Sequence, residues 1–379
     1  NGHSVAVTAV DEVERGGLSV EKQDSITGST PQGDANFEGI NFQIINNSRN
    51  PVMVEGQKYH PGEVVKILVT DSEGKASTAD DLLPYGEYIL HESSTNESML
   101  LTAPDQTVLV EDDGIIYEFT MANEVVRGGV LIEKRDLESG LLTPLGGANL
   151  DGTLFEITNK SKNAVYVNGA LYAPGEVCAT IEVVDGIAQT ENRALPYGSY
   201  QMVESKPGEG YLHTDQTVRS FQIRKDGEVI EFRDGDAAYN QVIRGDLQFV
   251  KVGEDGESNM HRFANVAFKL TSQTTGESHI VVTDENGEVR TTTEWNPHSQ
   301  NTNGNDGVED ETLWDDHNGT WFGLTTEGWM VDVQDELCAL PYDTYTLEEL
   351  PCSANEGYEL VRVPNITISR NDTVIELGT

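Results

Sequence analysis

Apolar and polar residues alternate in three similar stretches of the chain, and a lysine interrupts the alternation each time. One of these stretches is Arg127-Gly-Gly-Val-Leu-Ile-Glu-Lys134, and its two relatives end their alternation at Lys22 and Lys251. Successive side chains of a β-strand point to opposite faces, so each lysine shares its face with the apolar residues before it. A buried ammonium group is costly unless it is paired or neutral. The three lysines therefore require a chemical explanation.

Each lysine strand opens a repeat. An apolar strand follows, then a turn, the tripeptide Leu-Pro-Tyr, a strand that carries a second tyrosine, and a closing pair of strands. Short strands with frequent Gly and Pro turn signals and no helical period are typical of all-β proteins. We predict three tandem immunoglobulin-like β-sandwich domains of roughly a hundred residues each, joined by short linkers into an elongated rod.

The repeats divide the chain into four segments. Residues 1–14 are predicted to be the last strand of a preceding repeat or an N-terminal extension, and the three domains occupy 15–126, 127–243 and 244–379. The third domain carries an insertion at about 295–330 that is rich in Trp, Asn and Asp, and its last strand is incomplete by comparison with the other two. Long insertions are usually elaborated loops, where binding sites tend to lie.

The composition excludes two classes of partner. The formal net charge is −41, and such a surface repels phosphate backbones and anionic lipids, so we expect no nucleic acid and no membrane surface as a ligand. No apolar run is long enough to span a bilayer. Strong negative charge of this kind mainly indicates solubility.

Two further polar groups share the inward faces with the lysines. After each Leu-Pro-Tyr, the alternation places a glutamate among the apolar residues, and the closing strand of the first two units supplies an asparagine. The spacing from lysine to glutamate is the same in the first and second units. The glutamates are Glu92, Glu204 and Glu349, and the asparagines are Asn123 and Asn240.

A lysine, a glutamate and an asparagine that meet in an apolar core can react. Burial lowers the pKa of the lysine and raises that of the glutamate, because it disfavours both charged forms. A neutral amine can then attack the side-chain carbonyl of the asparagine, while the glutamic acid polarises that carbonyl and passes protons to the departing ammonia. The product is an isopeptide bond. The alternative is a buried, hydrogen-bonded salt bridge without covalent chemistry.

The ordered recurrence of the lysine strand, the Leu-Pro-Tyr strand with its glutamate and the closing asparagine resembles a known family. It is similar, over essentially the whole chain, to the collagen-adhesin B-type (Cna-B-like) domains of Gram-positive surface adhesins and pilins. The resemblance implies prealbumin-like sandwiches and a self-directed, single-turnover reaction, so we expect no enzyme and no cofactor. The implied bonds are Lys22–Asn123 with Glu92 as the catalytic residue, and Lys134–Asn240 with Glu204.

The third unit does not complete this pattern. The position that aligns with the closing asparagine lies beyond Thr379, so Lys251 and Glu349 lack their partner in this sequence. Asp11 aligns with Asn123, the closing asparagine of the first unit, and would therefore be the closing residue of a preceding repeat. Since aspartate can form such a bond with loss of water, Lys251 is predicted to pair with a residue beyond Thr379 or with Asp11 of another molecule.

The cysteines and the acidic insertion give no further site. Cys338 and Cys352 flank the Leu-Pro-Tyr strand of the third unit and either form a disulfide or stay as free thiols, while Cys178 is expected in a core. The acidic residues of the insertion lack an ordered calcium-ligand spacing. No metal site is predicted.

The preferred interpretation is a structural protein. We predict a stalk or pilin-like segment of an extracellular bacterial adhesin, anchored to the cell wall through a region outside this sequence, with neighbouring repeats or pilus subunits as partners. The alternative is a ligand-binding adhesin tip, whose insertion in the third domain contacts a host surface protein or glycan. An enzyme with an external substrate is not favoured, because each unit consumes its own reactive groups.

Overall fold

The computed structural model of the chain describes residues 11–254, 260–300 and 302–379. The strand predicted near the N-terminus lies outside these ranges except for its last residues, among which Asp11 is exposed. The regular secondary structure of the described residues is nearly all β, as predicted, and its helices are four 3-10 helices of three residues each. No described helix has the length and apolar character that crossing a bilayer requires.

The strands fall into three consecutive groups, which we call the first, second and third units. The first unit contains β1 Arg15–Asp24, β2 Asn41–Asn46, β3 Val52–Val54, β4 Gln57–Tyr59, β5 Val64–Val69, β6 Lys75–Ser77, β7 Leu83–Pro84, β8 Gly86–Ser94, β9 Gln106–Val110 and β10 Ile116–Asn123. The second contains β11 Arg127–Asp136, β12 Leu154–Asn159, β13 Val165–Val167, β14 Ala170–Tyr172, β15 Val177–Glu182, β16 Ile187–Gln189, β17 Leu195–Pro196, β18 Gly198–Lys206, β19 Arg219–Ile223, β20 Val229–Phe232 and β21 Ala238–Asn240. The third contains β22 Arg244–Val250, β23 Val252–Glu254, β24 Met260–Arg262, β25 Ala267–Ser272, β26 Ser278–Val282, β27 Glu288–Arg290, β28 Leu340–Pro341, β29 Asp343–Glu349, β30 Arg362–Ile368 and β31 Thr373–Glu376.

Each unit is a sandwich of two sheets. In the first unit, β1 is central to one sheet, where it pairs with β6, β7 and β10, and the facing sheet has the order β5-β2-β8-β9. The opening strands β11 and β22 are central in the same way, opposite sheets of order β15-β12-β18-β19 and β26-β25-β29-β30. The alternating residues of the two sheets pack between them into a separate apolar core in each unit. The predicted β-sandwich class is confirmed.

The opening strand of each unit runs parallel to the closing strand. Lys22 of β1 lies opposite Met121 of β10. In the second unit the 3-10 helix Asp234–Asp236 divides the closing segment into β20 and β21, and both parts pair with β11. The alternation alone predicts one continuous closing strand there, and the 3-10 helix interrupts it. In the third unit β31 pairs with β22, and Leu377 continues the pairing with a backbone bond to Gln248.

A tyrosine fixes the Leu-Pro-Tyr segment of each unit against the strand that follows it. The hydroxyl donates to the backbone carbonyl of the proline four residues earlier, at 2.8 Å in all three units. The three tyrosines are among the largest fully buried side chains, and they are Tyr88, Tyr200 and Tyr345. Because each lies on the strand that carries the inward glutamate, this bond orients that strand in the core.

Apolar side chains pack where consecutive units meet. The contact between the first and second units is formed by Ala35, Phe37, Met99, Val125, Val126 and Tyr197. The contact between the second and third units is formed by Leu145, Ala148, Leu150, Tyr211, Val242, Trp321 and Val331. The units are therefore joined by packed junctions as well as by the chain, and the insertion of the third unit supplies part of the second junction.

The centre of the second junction is a buried ion pair. Arg244 is 1% exposed, and its guanidinium donates two hydrogen bonds to the Glu138 carboxylate, at 2.7 and 2.8 Å. The indole of Trp321 lies against the same guanidinium, 3.8 Å from ring centroid to Cζ. Bidentate geometry and cation–π contact both favour arginine over lysine at this position.

We expect Glu138→Ala to destabilise this junction strongly, because it leaves the Arg244 guanidinium buried without a counter-charge. Loss of one partner of a buried pair typically costs about 3–5 kcal/mol. Chemical denaturation of the variant measures this loss. Arg362→Ala is the matched control, since Arg362 pairs with Glu348 on the surface of the third unit and an exposed pair contributes about 0–1 kcal/mol. Equal effects of the two substitutions would contradict the role given to the buried pair.

Candidate functional site

Lys22, Glu92 and Asn123 meet in the core of the first unit. The Lys22 Nζ lies 3.4 Å from Glu92 Oε2 and donates to the Met121 carbonyl at 2.9 Å. The Asn123 Nδ2 donates to the other carboxyl oxygen, Glu92 Oε1, at 2.6 Å. Each of the three residues is at least 98% buried. One carboxyl group thus holds the amine on one oxygen and the amide on the other.

The three elements that bring these groups together come from both sheets. Lys22 lies on β1 and Asn123 ends β10, which are neighbours in one sheet, whereas Glu92 lies on β8 in the facing sheet. The carboxyl group therefore reaches across the apolar core. The alternation of side chains along β1 and β8 places Lys22 and Glu92 on the inward faces of these strands. A shift of either strand by one residue would turn its charged side chain to the surface, so the register of both strands is essential to the site.

The second unit repeats this geometry. The Lys134 Nζ lies 3.5 Å from Glu204 Oε2, and the Asn240 Nδ2 donates to Glu204 Oε1 at 2.5 Å. The Lys134 Nζ is buried and makes no hydrogen bond within the described residues, and Glu204 Oε2 is likewise without one. The ammonium form of Lys134 would therefore depend almost entirely on the Glu204 carboxylate for stabilisation.

Backbone N–H groups bind the amide oxygen of each asparagine. Asn123 Oδ1 accepts from the Ala103 N–H at 2.8 Å, and Asn240 Oδ1 accepts from the Asp215 N–H at 2.9 Å. Donors fixed at a carbonyl oxygen stabilise negative charge that develops there during nucleophilic attack. The alternation of residues along the strands does not predict these donors. They lie in loops, and a backbone donor carries no signature of residue type, although the sequence Asp-Gln-Thr-Val recurs beside them at 105–108 and 215–218.

Burial shifts the acid–base properties of both pairs in the direction that the reaction needs. Desolvation lowers the pKa of Lys22, and it lowers that of Lys134 to about 8, in both cases against the attraction of the neighbouring glutamate. Desolvation likewise raises the pKa of Glu92 and of Glu204 despite the nearby lysines. Each pair is thereby shifted toward a neutral amine and a protonated acid.

The third unit contains the lysine and the glutamate with a different amide. The Lys251 Nζ donates to Glu349 Oε2 at 2.9 Å, and the Asn355 Nδ2 donates to Glu349 Oε1 at 2.9 Å. Asn355 ends the 3-10 helix Ser353–Asn355, shortly after the strand that carries Glu349. The sequence pattern does not predict a role for Asn355, because this residue lies in a loop where no alternation applies.

The cysteines are free thiols in the structure. Cys178 is buried in the second core, as expected, and its thiol donates to the Ile157 carbonyl. The thiols of Cys338 and Cys352 face different partners, the Asp372 carboxylate and the Asn265 carbonyl. Of the two alternatives for Cys338 and Cys352, the structure therefore has the free thiols and not the disulfide.

The insertion of the third unit is held against the sandwich by a buried histidine. His279 of β26 bonds Asp306 at 2.6 Å and Glu277 at 3.1 Å, and the Glu277 carboxylate accepts the backbone N–H groups of Gly323 and Leu324. Burial alone would lower the pKa of His279, but the two carboxylates outweigh it and raise this pKa to about 9. His279 is therefore a charged clamp at neutral pH.

The acidic residues of the insertion do not gather as one calcium site. Asp306 is bound to His279, while Asp315 and Asp316 lie together with His317 at the surface. Exposed acidic clusters are common without an ion. The prediction of no metal site stays a prediction.

A family model for a prealbumin-like fold domain, SpaA, matches residues 16–125 and 145–236, which is just over half of the chain. No curated protein sequence matches the chain. Among solved structures, the Bacillus anthracis TIE protein is similar, with 18% sequence identity and a TM-score of 0.52. That match covers 97% of this chain and 51% of the TIE protein, so the chain spans about half of the length of that protein. At this identity the likeness shows the fold.

Two pilins give looser matches. BcpA, the major pilin subunit of Bacillus cereus, is 11% identical with a TM-score of 0.29, and the match covers 96% of this chain and 99% of that protein. GBS52, the minor pilin of Streptococcus agalactiae, is 15% identical with a TM-score of 0.25, and the match covers 60% of this chain and 96% of that protein.

We expect the insertion to loosen as the pH rises through about 9. The folded pKa of His279 lies above its ordinary value of 6.5, so its contribution is complete below pH 6.5 and is lost as the folded pKa is passed. The full loss is on the order of 3–4 kcal/mol. Amide hydrogen exchange of residues 295–330 measures the loosening, after correction for the intrinsic pH dependence of exchange.

His279→Gln should abolish the pH dependence of the loosening. The exposed His317, changed to Gln, should leave it intact, and a profile unaffected by His279→Gln would contradict the clamp.

Proposed function

Since the chain belongs to the SpaA prealbumin-like fold domain family, we propose that it is a pilin-like stalk segment of a Gram-positive cell-surface adhesin, stabilised by two isopeptide bonds of its own making. The bonds join Lys22 to Asn123 and Lys134 to Asn240. The observation that carries this proposal is that a single buried carboxyl group holds the amine and the amide in each unit. The chain would lie outside the cell, anchored through a region beyond this sequence, with pilus subunits or neighbouring repeats as partners.

The reaction can be followed at named atoms in the first unit. The Lys22 amine, freed of its proton by Glu92, attacks the Cγ of Asn123, and the new C–N bond forms as the carbonyl oxygen becomes negative. The Ala103 N–H is placed to stabilise that oxygen. Glu92 then delivers a proton to Nδ2, the C–Nδ2 bond breaks, and ammonia leaves. The Lys22 nitrogen also loses a second proton when it becomes an amide. This proton either leaves with the ammonia as ammonium or stays on the Glu92 carboxyl group.

The alternative is a buried salt bridge that never reacts. The second unit argues against it, because the Lys134 Nζ and Glu204 Oε2 make no hydrogen bonds in the described structure and a buried ion pair is favourable only when its remaining donors and acceptors are satisfied. Formation of the amide removes both buried charges. The Lys134 nitrogen becomes part of a neutral amide, and Glu204 can stay protonated. The covalent product therefore resolves the cost that the pair creates.

Such bonds would stabilise a protein exposed to proteases. Each closes a loop of about a hundred residues between the opening and closing strands, which in the chain-entropy model adds on the order of 4–5 kcal/mol. Slower unfolding would reduce the time in which an extracellular protease can cleave the chain. Stability of this kind suits a stalk, which has no chemistry to perform on other molecules.

We expect the intact protein to be lighter than its sequence by at least two molecules of ammonia. Glu92→Gln should restore one of them, and Glu204→Gln the other, because an amide cannot shuttle the protons. Intact mass spectrometry measures the loss, and digestion should yield cross-linked peptides that contain Lys22 with Asn123 and Lys134 with Asn240. A mass equal to the plain sequence would exclude the mechanism.

Glu87→Gln is the matched control for the first unit. Glu87 lies on the same strand as Glu92, but its side chain points to the solvent. This variant should retain the full loss of ammonia. Restoration of mass by both substitutions would mean that the effect comes from the strand and not from the buried carboxyl group.

Ligand binding by the insertion is a second candidate function. Trp329 is 63% exposed and lies next to the exposed Met330, beside a groove that also includes Arg135 and Leu142 of the second unit. An exposed tryptophan next to an exposed methionine suits contact with a host protein or glycan. Trp321 of the same insertion is fully buried, so its role is in packing.

If the insertion binds a ligand, Trp329→Ser should lower adherence to host cells at least several-fold without changing the unfolding midpoint. Adherence of bacteria that display the chain measures this effect. Leu313→Ser, at another exposed apolar residue of the insertion, is the control. Unchanged adherence of the Trp329 variant would leave the stalk as the function of the segment.

A further inference from the structure

Asn355 occupies, in the third unit, the chemical position that Asn123 and Asn240 occupy in the first two. Its Nδ2 donates to Glu349 Oε1, while the lysine of the unit bonds the other oxygen of the same carboxyl group. The two other units show the same division of one carboxyl group between an amine and an amide. The residues Lys251, Glu349 and Asn355 are all buried, with at most 8% exposure.

The amide oxygen of Asn355 is also held as in the other units. Its Oδ1 accepts the backbone N–H of Cys352 at 2.8 Å, as Asn123 and Asn240 accept from Ala103 and Asp215. A fixed backbone donor at this oxygen both orients the carbonyl and stabilises the charge that attack would create. The second N–H of Asn355 donates to the Leu350 carbonyl at 2.8 Å, so the amide is locked in one orientation.

We propose that Lys251 forms an isopeptide bond with Asn355, so that the third unit is cross-linked within itself. This inference rests on the proposed function, because it assigns the same reaction to a different pair of residues. The bond would join the end of the opening strand β22 to the loop after β29, where the first two units join the opening strand to the closing strand. No residue beyond Thr379 and no second molecule is then needed as the partner of Lys251.

The step balances as in the other units. The Lys251 Nζ forms a bond to the Cγ of Asn355, the bond from Cγ to Nδ2 breaks, and ammonia leaves. Glu349 accepts, one after the other, the two protons that the Lys251 ammonium gives up, returns one to the departing nitrogen and keeps the other. The reaction requires no oxidant, metal or other co-reactant. The hydrogen bond from Asn355 Nδ2 to Glu349 is the path of that proton.

Intact mass spectrometry of the whole chain tests the inference. We expect a loss of three ammonia molecules, and digestion should give a cross-linked peptide that contains Lys251 and Asn355. Lys251→Arg should reduce the loss to two, because arginine keeps the charge beside Glu349 but does not form the amide. Asn355→Ala should do the same, whereas Asn286→Ala, at an exposed asparagine of the same unit, should keep the loss of three.

The outcomes separate this inference from the proposal on which it rests. A loss of two, with the peptides of the first two units cross-linked and Lys251 unmodified, would overturn the third bond alone. A loss of three that persists in Asn355→Ala would show that Lys251 reacts with another partner, and would overturn it as well. No loss at all would remove the proposed function together with this inference.

Discussion

The desolvation of one lysine and one glutamate is the constraint on which each of the first two sandwiches depends. Both side chains lie where alternation would place apolar residues, and water cannot reach them in the core. Their mutual attraction compensates only part of the cost of burial, since the pKa of the amine falls and that of the acid rises in the first two units. The surrounding strands must therefore hold the two groups in contact, and an amide at the same carboxyl group gives the pair a route to neutrality.

Much of this arrangement could be predicted from the sequence, because strands impose a period of two. The period placed Lys22 and Glu92 inward, the repeats predicted tandem sandwiches, and the family resemblance is confirmed. Loops have no such period. The break between β20 and β21, the backbone donors at the asparagine oxygens and the contact of Asn355 with Glu349 depend on turns whose course no residue pattern fixes.

The insertion of the third unit shows how a long loop can have two roles. Its length and its tryptophans suggested a binding surface, yet Trp321 is enclosed at the junction between the second and third units, against Arg244. His279 holds another part of the insertion against the sheet. The exposed part is therefore carried on a packed base. A loop fixed in this way loses less conformational entropy when it meets a ligand than a free loop would.

The parallel pairing of β1 with β10 has a mechanical consequence. Because both strands run in the same direction, the chain enters the first unit at one end of this sheet and leaves it at the other. Tension along the chain would then shear the hydrogen bonds between the two strands, so that they resist together and do not open one after another. With Lys22 bonded to Asn123, the tension would pass through the amide, and the residues between them would carry none of it. The first unit would then not extend under tension, and its core would carry no mechanical load.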